Sequence, residues 1–135
     1  MRKHFYFLTL FVFDIILKQI ALQSSSDFFL IPKLLAFRFF KNPTLAFSIS
    51  FPQSIIVVFS VLILVGLIIF TYKKPQYFFP ASLIFLGALS NLADRIWHGF
   101  VIDYFFLYPI SYFNLADLLI FTGIILLIIK LSRQK

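Results

Sequence analysis

Four of the five acidic residues, every one an Asp, stand in or beside stretches apolar enough to cross a bilayer: Asp14, Asp94, Asp103 and Asp117. A charged side chain at the centre of a membrane helix costs roughly 2.5–3.5 kcal/mol on insertion scales, so several of them argue for use. Asp14 and Asp94 have basic neighbours, Lys18 and Arg95, and both pairs are expected to be ion pairs that hold a helix bundle together. Asp103 and Asp117 have no basic residue within a helical turn and flank one short segment. Two carboxylates brought together cannot both ionise easily. One keeps its proton, and the other is free to activate a water against a carbonyl group.

Other chemistries have less to work with. There is no Cys, which removes disulfides, thiolate metal sites and thiol nucleophiles. His4 and His98 fall at opposite ends of the membrane, so no His-based metal site and no cofactor is expected. Ser24–Ser26 near Lys18 offers a Ser–Lys dyad, against the plainer reading of a linker leaving a helix; His98-Gly99 reads as a turn ending a span. On spacing alone, a carboxylate pair of the aspartic-protease kind competes with a small transport or channel subunit whose Asp94, Arg95 and Asp117 line a polar path.

The elements that must position these residues are membrane spans. The chain has 135 residues, 61% hydrophobic and 13% charged, where soluble domains carry about 25% charged. Apolar runs at Phe5–Leu22, Ser54–Tyr72, Tyr77–Trp97 and Tyr112–Ile129 are each long enough to cross a core of about 30 Å. The first is expected to be retained, because Asp14 and Lys18 interrupt it and no small-residue cleavage site follows. The expectation is a single all-α membrane domain of four transmembrane helices. A small outer-leaflet sheet lies between helices 1 and 2 (23–53), and a short aromatic segment (98–111) carrying Asp103 in a loop joins helices 3 and 4.

Arg2, Lys3, Lys73, Lys74, Lys130, Arg133 and Lys135 fall on one side, which places both termini in the cytoplasm. The basic residues form no stripe between aromatic platforms, so the net charge of +7 reflects topology and not nucleic-acid binding. Tyr104, Tyr108, Tyr112 and Trp97 would mark the outer interface, Tyr72 and Tyr77 the inner one. Within 23–53, Phe47–Phe51 alternates with period two as a half-buried strand does. Asn91, Asp94 and Arg95 share one helix face, Asn114 and Asp117 are three apart, and Asp14 and Lys18 four apart, all at similar depth toward the outer leaflet.

These residues lie in stretches that resemble lipoprotein signal peptidase (signal peptidase II), the bacterial membrane aspartic protease family. The resemblance covers nearly the whole chain. It rests on Gly87-Ala88-Leu89-Ser90-Asn91-Leu92-Ala93-Asp94-Arg95, Gly99-Phe100-Val101-Ile102-Asp103-Tyr104 and Phe113-Asn114-Leu115-Ala116-Asp117, with support from Asp14, Lys18, Asn42 and Ala46-Phe47. Pro43-Thr44-Leu45 and Ser90 depart from the family's usual Gly and Ala. The resemblance implies that Asp103 and Asp117 are the catalytic pair, and that Asp14, Lys18, Asn42, Asn91, Asp94, Arg95 and Asn114 support them and bind substrate. It also implies a diacylated prolipoprotein cleaved before its lipidated Cys. The expected setting is a monomer among the lipids of the bacterial inner membrane, its site toward the outer face.

Overall fold

A computed structural model describes residues 2–24, 26–44 and 51–133, with side chains placed from residue 8 onward. Helix α1 (Arg2–Gln23) leads into strands β1 (Phe28–Ile31) and β2 (Leu35–Asn42). Helix α2 (Gln53–Lys73) and a 3-10 turn (Pro75–Tyr77) precede α3 (Phe78–His98), then β3 (Val101–Leu107), β4 (Ser111–Phe113) and α4 (Leu115–Ser132). Among the described residues three segments, 53–73, 75–98 and 115–132, are long and apolar enough to cross a membrane. Helix α1 lies where the first span was expected.

Helix α3 is the hub. Its buried residues Pro80, Ile84, Gly87, Asn91 and Asp94 recur at three- and four-residue spacing, so one face is covered by the rest of the bundle. Helix α2 buries only Ile56 and Leu64 among its described residues, and most of its other Val, Ile and Leu side chains point outward. Such a face is stable in lipid and costly in water. Helices α3 and α4 approach closely because each offers a glycine to the other. A Cβ on Gly87 would lie 2.3 Å from the Ala116 carbonyl oxygen, and one on Gly123 would lie 2.7 Å from that of Pro80. No side chain fits either place.

The sheet is larger than expected and draws on both outer segments. Its order is β1-β2-β3-β4, antiparallel throughout. Asp103 therefore sits in a strand and not in a loop, because Val101–Leu107 is rich in β-branched and aromatic residues and pairs with the free edge of β2. A register shift between Phe37 and Phe40 places Phe40 opposite Asp103 and Asn42 opposite Val101. The alternating run Phe47–Phe51 lies outside the described residues, apart from Phe51, which is irregular. Strand β1 exposes all four of its residues, Phe28, Phe29, Leu30 and Ile31.

Of the interface aromatics, Trp97, Tyr108 and Tyr72 are exposed. Tyr104 and Tyr77 are buried instead, the first within the bundle and the second stacked on Phe70. The expected turn is present: Gly99 caps α3 at φ +78°, a left-handed conformation that glycine adopts without strain, and its N–H donates to the Arg95 carbonyl.

Candidate active site

Asp103 comes from the centre of β3 and Asp117 from the first turn of α4, and Asn114 touches both. Asn114 is the N-cap of α4: its Oδ1 accepts from the Asp117 N–H (2.8 Å), and its own N–H donates to Asp117 Oδ2 (3.2 Å). This reciprocal capping box satisfies backbone groups that every helix start leaves free. The same residue's Nδ2 donates to Asp103 Oδ1 at 2.8 Å. One asparagine thus fixes the relative position of the two carboxylates.

Three amides surround the pair, and each turns its NH2 group toward a carboxylate because its oxygen is already occupied. Asn91 Oδ1 accepts from Lys18 Nζ (3.2 Å) and Asn114 Nδ2 (3.1 Å), leaving Asn91 Nδ2 to donate to Asp117 Oδ1 at 2.8 Å. Asn42 Nδ2 donates to Asp103 Oδ2 at 2.8 Å, its oxygen being held by Thr44. Every oxygen of both carboxylates therefore accepts a hydrogen bond. A continuous path runs from Asp103 through Asn114 and Asn91 to Asp117.

Behind the amides lies a buried ionic cluster. Lys18 Nζ stands between Asp14 Oδ2 (3.0 Å) and Asp94 Oδ2 (2.8 Å). The pairing of Asp14 with Lys18 is as expected. Asp94 takes Lys18 as its partner and not Arg95, because consecutive helical residues point roughly 100° apart. Arg95 reaches instead to the carbonyls of Thr44 (3.1 Å) and Asn91 (3.3 Å).

Each supporting carboxylate holds the backbone one residue ahead of one of the pair. Asp94 Oδ2 accepts from the N–H of Ile102, before Asp103 (3.1 Å). Asp14 Oδ1 accepts from the N–H of Ala116, before Asp117 (3.2 Å). The Leu115 N–H donates to Tyr104 Oη (2.9 Å), so the first three amides of α4 all have partners. An anion at a helix N-terminus is also favoured by the helix dipole.

All nine residues expected from the sequence meet here. Ser90, Thr44 and Tyr104, the last expected at the outer interface, join the site as well. Ser90 Oγ donates to Asp14 Oδ2 (2.5 Å) and accepts from Lys18 (2.8 Å). Tyr104 Oη donates to Asp14 Oδ1 at 2.7 Å. The spacing of Ser90 from Asp94 on the polar face of α3 was a usable signal for Ser90.

The pair is asymmetric. Asp103 is fully buried, whereas Asp117 is partly exposed. Burial, reinforced by the negative charge of Asp117, pushes the Asp103 carboxyl from 3.8 up to about 7; the amides of Asn42 and Asn114 and the Lys18 charge oppose this. Burial and the nearby Asp14 also raise the Tyr104 phenol, which therefore stays a donor. Among the described residues no group of three His, Cys, Asp or Glu side chains is placed to hold a metal. Neighbouring carboxylates, one able to carry a proton near neutrality, suit general acid–base activation of water.

A profile of the family described as signal peptidase (SPase) II matches residues 6–133. A lipoprotein signal peptidase of Lactococcus lactis is 36% identical over 110 residues, covering 77% of this chain and 73% of that protein. One of Staphylococcus aureus is 33% identical over 135 residues, covering 91% and 83%. Two solved bacterial membrane enzyme structures superpose with TM-scores of 0.87 and 0.85 at 29% and 28% identity. They cover 94% and 96% of this chain, and 85% and 91% of their own.

Proposed function

This chain belongs to the signal peptidase II family, and from that premise we propose that it is an aspartic endopeptidase that removes the signal peptide of diacylglyceryl-modified prolipoproteins just before the lipidated Cys. The observation that carries the mechanism is the joining of Asp103 and Asp117 through Asn114, with the buried member raised to about 7. Asp103 is then the acid and the part-exposed Asp117 the base.

In this reading a water lies between the carboxylates. Asp117 takes its proton as the oxygen attacks the scissile carbonyl carbon, while Asp103 protonates the carbonyl oxygen. The resulting tetrahedral diol collapses with cleavage of the C–N bond. Asp117 gives its proton to the departing amine of the Cys, and a hydroxyl of the diol returns one to Asp103. The products are a peptide carboxylic acid and a free amine, and no covalent intermediate forms.

The four helices all span, with both termini in the cytoplasm and the site toward the outer face of the bacterial inner membrane, where a lipid-anchored substrate presents its peptide bond. The apolar strand β1 is suited to lie against that leaflet. The polar residues gather at the sheet end of the bundle, which gives the carboxylates a shared depth toward one face.

The test is cleavage of a diacylated precursor by the purified protein, read by gel shift. Asp103→Asn and Asp117→Asn each lower turnover by about 10²–10⁴-fold, the range of general acid–base catalysis, while still inserting. Near-normal cleavage by either variant overturns the assignment.

A further inference from the structure

Asn42 can donate to Asp103 only while its amide is held one way round. An Asn side chain that flips end for end would present its oxygen to the carboxylate, turning an attraction into a repulsion. On the other side of that amide the partners among the described residues are those of Thr44: its backbone N–H donates to Asn42 Oδ1 at 3.1 Å and its hydroxyl donates at 2.9 Å. Thr44 is itself anchored, because its carbonyl accepts from Arg95 Nη2 at 3.1 Å. A three-residue strap, Asn42 to Thr44, thus runs from the end of β2 to α3, with its one polar tip against Asp103.

We propose that Thr44 is a positioning residue for the reaction, its hydroxyl locking the Asn42 amide with the NH2 group toward Asp103 Oδ2. The proposal rests on the reading of Asp103 as the acid. An acid that must release and recover a proton each cycle needs a constant neighbour, and a donating amide keeps Oδ2 an acceptor in both protonation states. Other charges facing Asp103 are Asp117 from α4, Lys18 from α1 and Arg95 from α3. None of them contacts Thr44 through its side-chain hydroxyl, so a change there leaves them in place. Because the Asn42 bond favours the ionised carboxylate, losing it moves the Asp103 titration to higher pH.

Thr44→Val keeps the shape and removes the hydroxyl. Turnover of the diacylated precursor by the full chain is expected to fall about three- to tenfold, the loss of one hydrogen bond, with KM unchanged. The alkaline limb of the pH–rate profile moves to higher pH, and Thr44→Ser restores both. In an Asn42→Leu background Thr44→Val has no further effect. Carbon-13 titration of the Asp103 carboxyl reads the same shift without turnover, and Thr44→Ala carries the same expectation if valine impairs insertion. An unchanged limb and carboxyl titration, or equal losses with and without Asn42, overturn the proposal. If Asp103→Asn keeps activity, the failure belongs to the catalytic reading instead.

Discussion

Asp103→Asn should make the protein more resistant to alkaline conditions even as it cuts cleavage by orders of magnitude. The folded protein holds the Asp103 carboxyl at about 7 against an ordinary 3.8. Between those values the native state binds a proton that the unfolded chain has released, so stability falls as pH rises through the window and levels off above about 7. At about 1.36 kcal/mol per pH unit, the interval amounts to about 4 kcal/mol. The asparagine has no such titration. It carries a fixed cost instead, because two NH2 groups, from Asn42 and Asn114, converge on the carboxylate and an amide accepts at only one end. That mismatch is worth about 1–3 kcal/mol at every pH. The variant should therefore melt below the wild type near pH 4 and overtake it near pH 8. The relative swing in thermal midpoint is about ten degrees or more, judged from domains of similar size. Thermal unfolding of both proteins in one detergent, scanned over pH, is the assay. Parallel curves from pH 4 to 8 would refute the argument, since they would mean Asp103 titrates alike in both states.

Lys18→Met leaves Asp14 and Asp94 buried without their cation; a loss of about 3–5 kcal/mol is expected, seen as failure to accumulate in membranes, and adding Asp94→Asn recovers part of it. Ser90→Ala removes a charge-assisted bond to Asp14 and lowers stability by about 1.5–3 kcal/mol in a thermal melt, with turnover per folded molecule retained. Gly87→Ala forces a methyl against the Ala116 carbonyl, next to Asp117, and should cut precursor cleavage more than about tenfold. Gly66→Ala, which meets nothing within 4 Å, is the control and leaves cleavage unchanged.

What was legible in the sequence was the set of participants. Charges inside apolar runs are conspicuous, and helical spacing places Asn91 with Asp94, and Asn114 with Asp117, without any structure. Their partnerships were not legible. Asp94 stands beside Arg95 in sequence yet pairs with Lys18 of another helix, because partner choice depends on how α1 and α3 rotate about their axes. The strand at Val101–Leu107 was hidden by lacking the alternation of a half-buried strand: Val101 to Tyr104 are buried in succession. Tyr104 looked like an interface aromatic for the same reason. Thr44 offered only a hydroxyl, a signal that acquires meaning once the neighbours are known.

The hydrogen-bonded path from Asn42 to Asp117 also has a consequence for the ribosome. Asn42 and Asp103 are 61 positions apart, and Asp14 and Ala116 are 102 apart. No stretch emerging early from synthesis contains both carboxylates with their donors. A nascent chain that has placed its first three helices still lacks Asp117 and the cap that aims it. In the proposed reading the carboxylate pair is completed only when α4 docks on the rest of the bundle, so a chain stopped before it holds Asp103 without its partner.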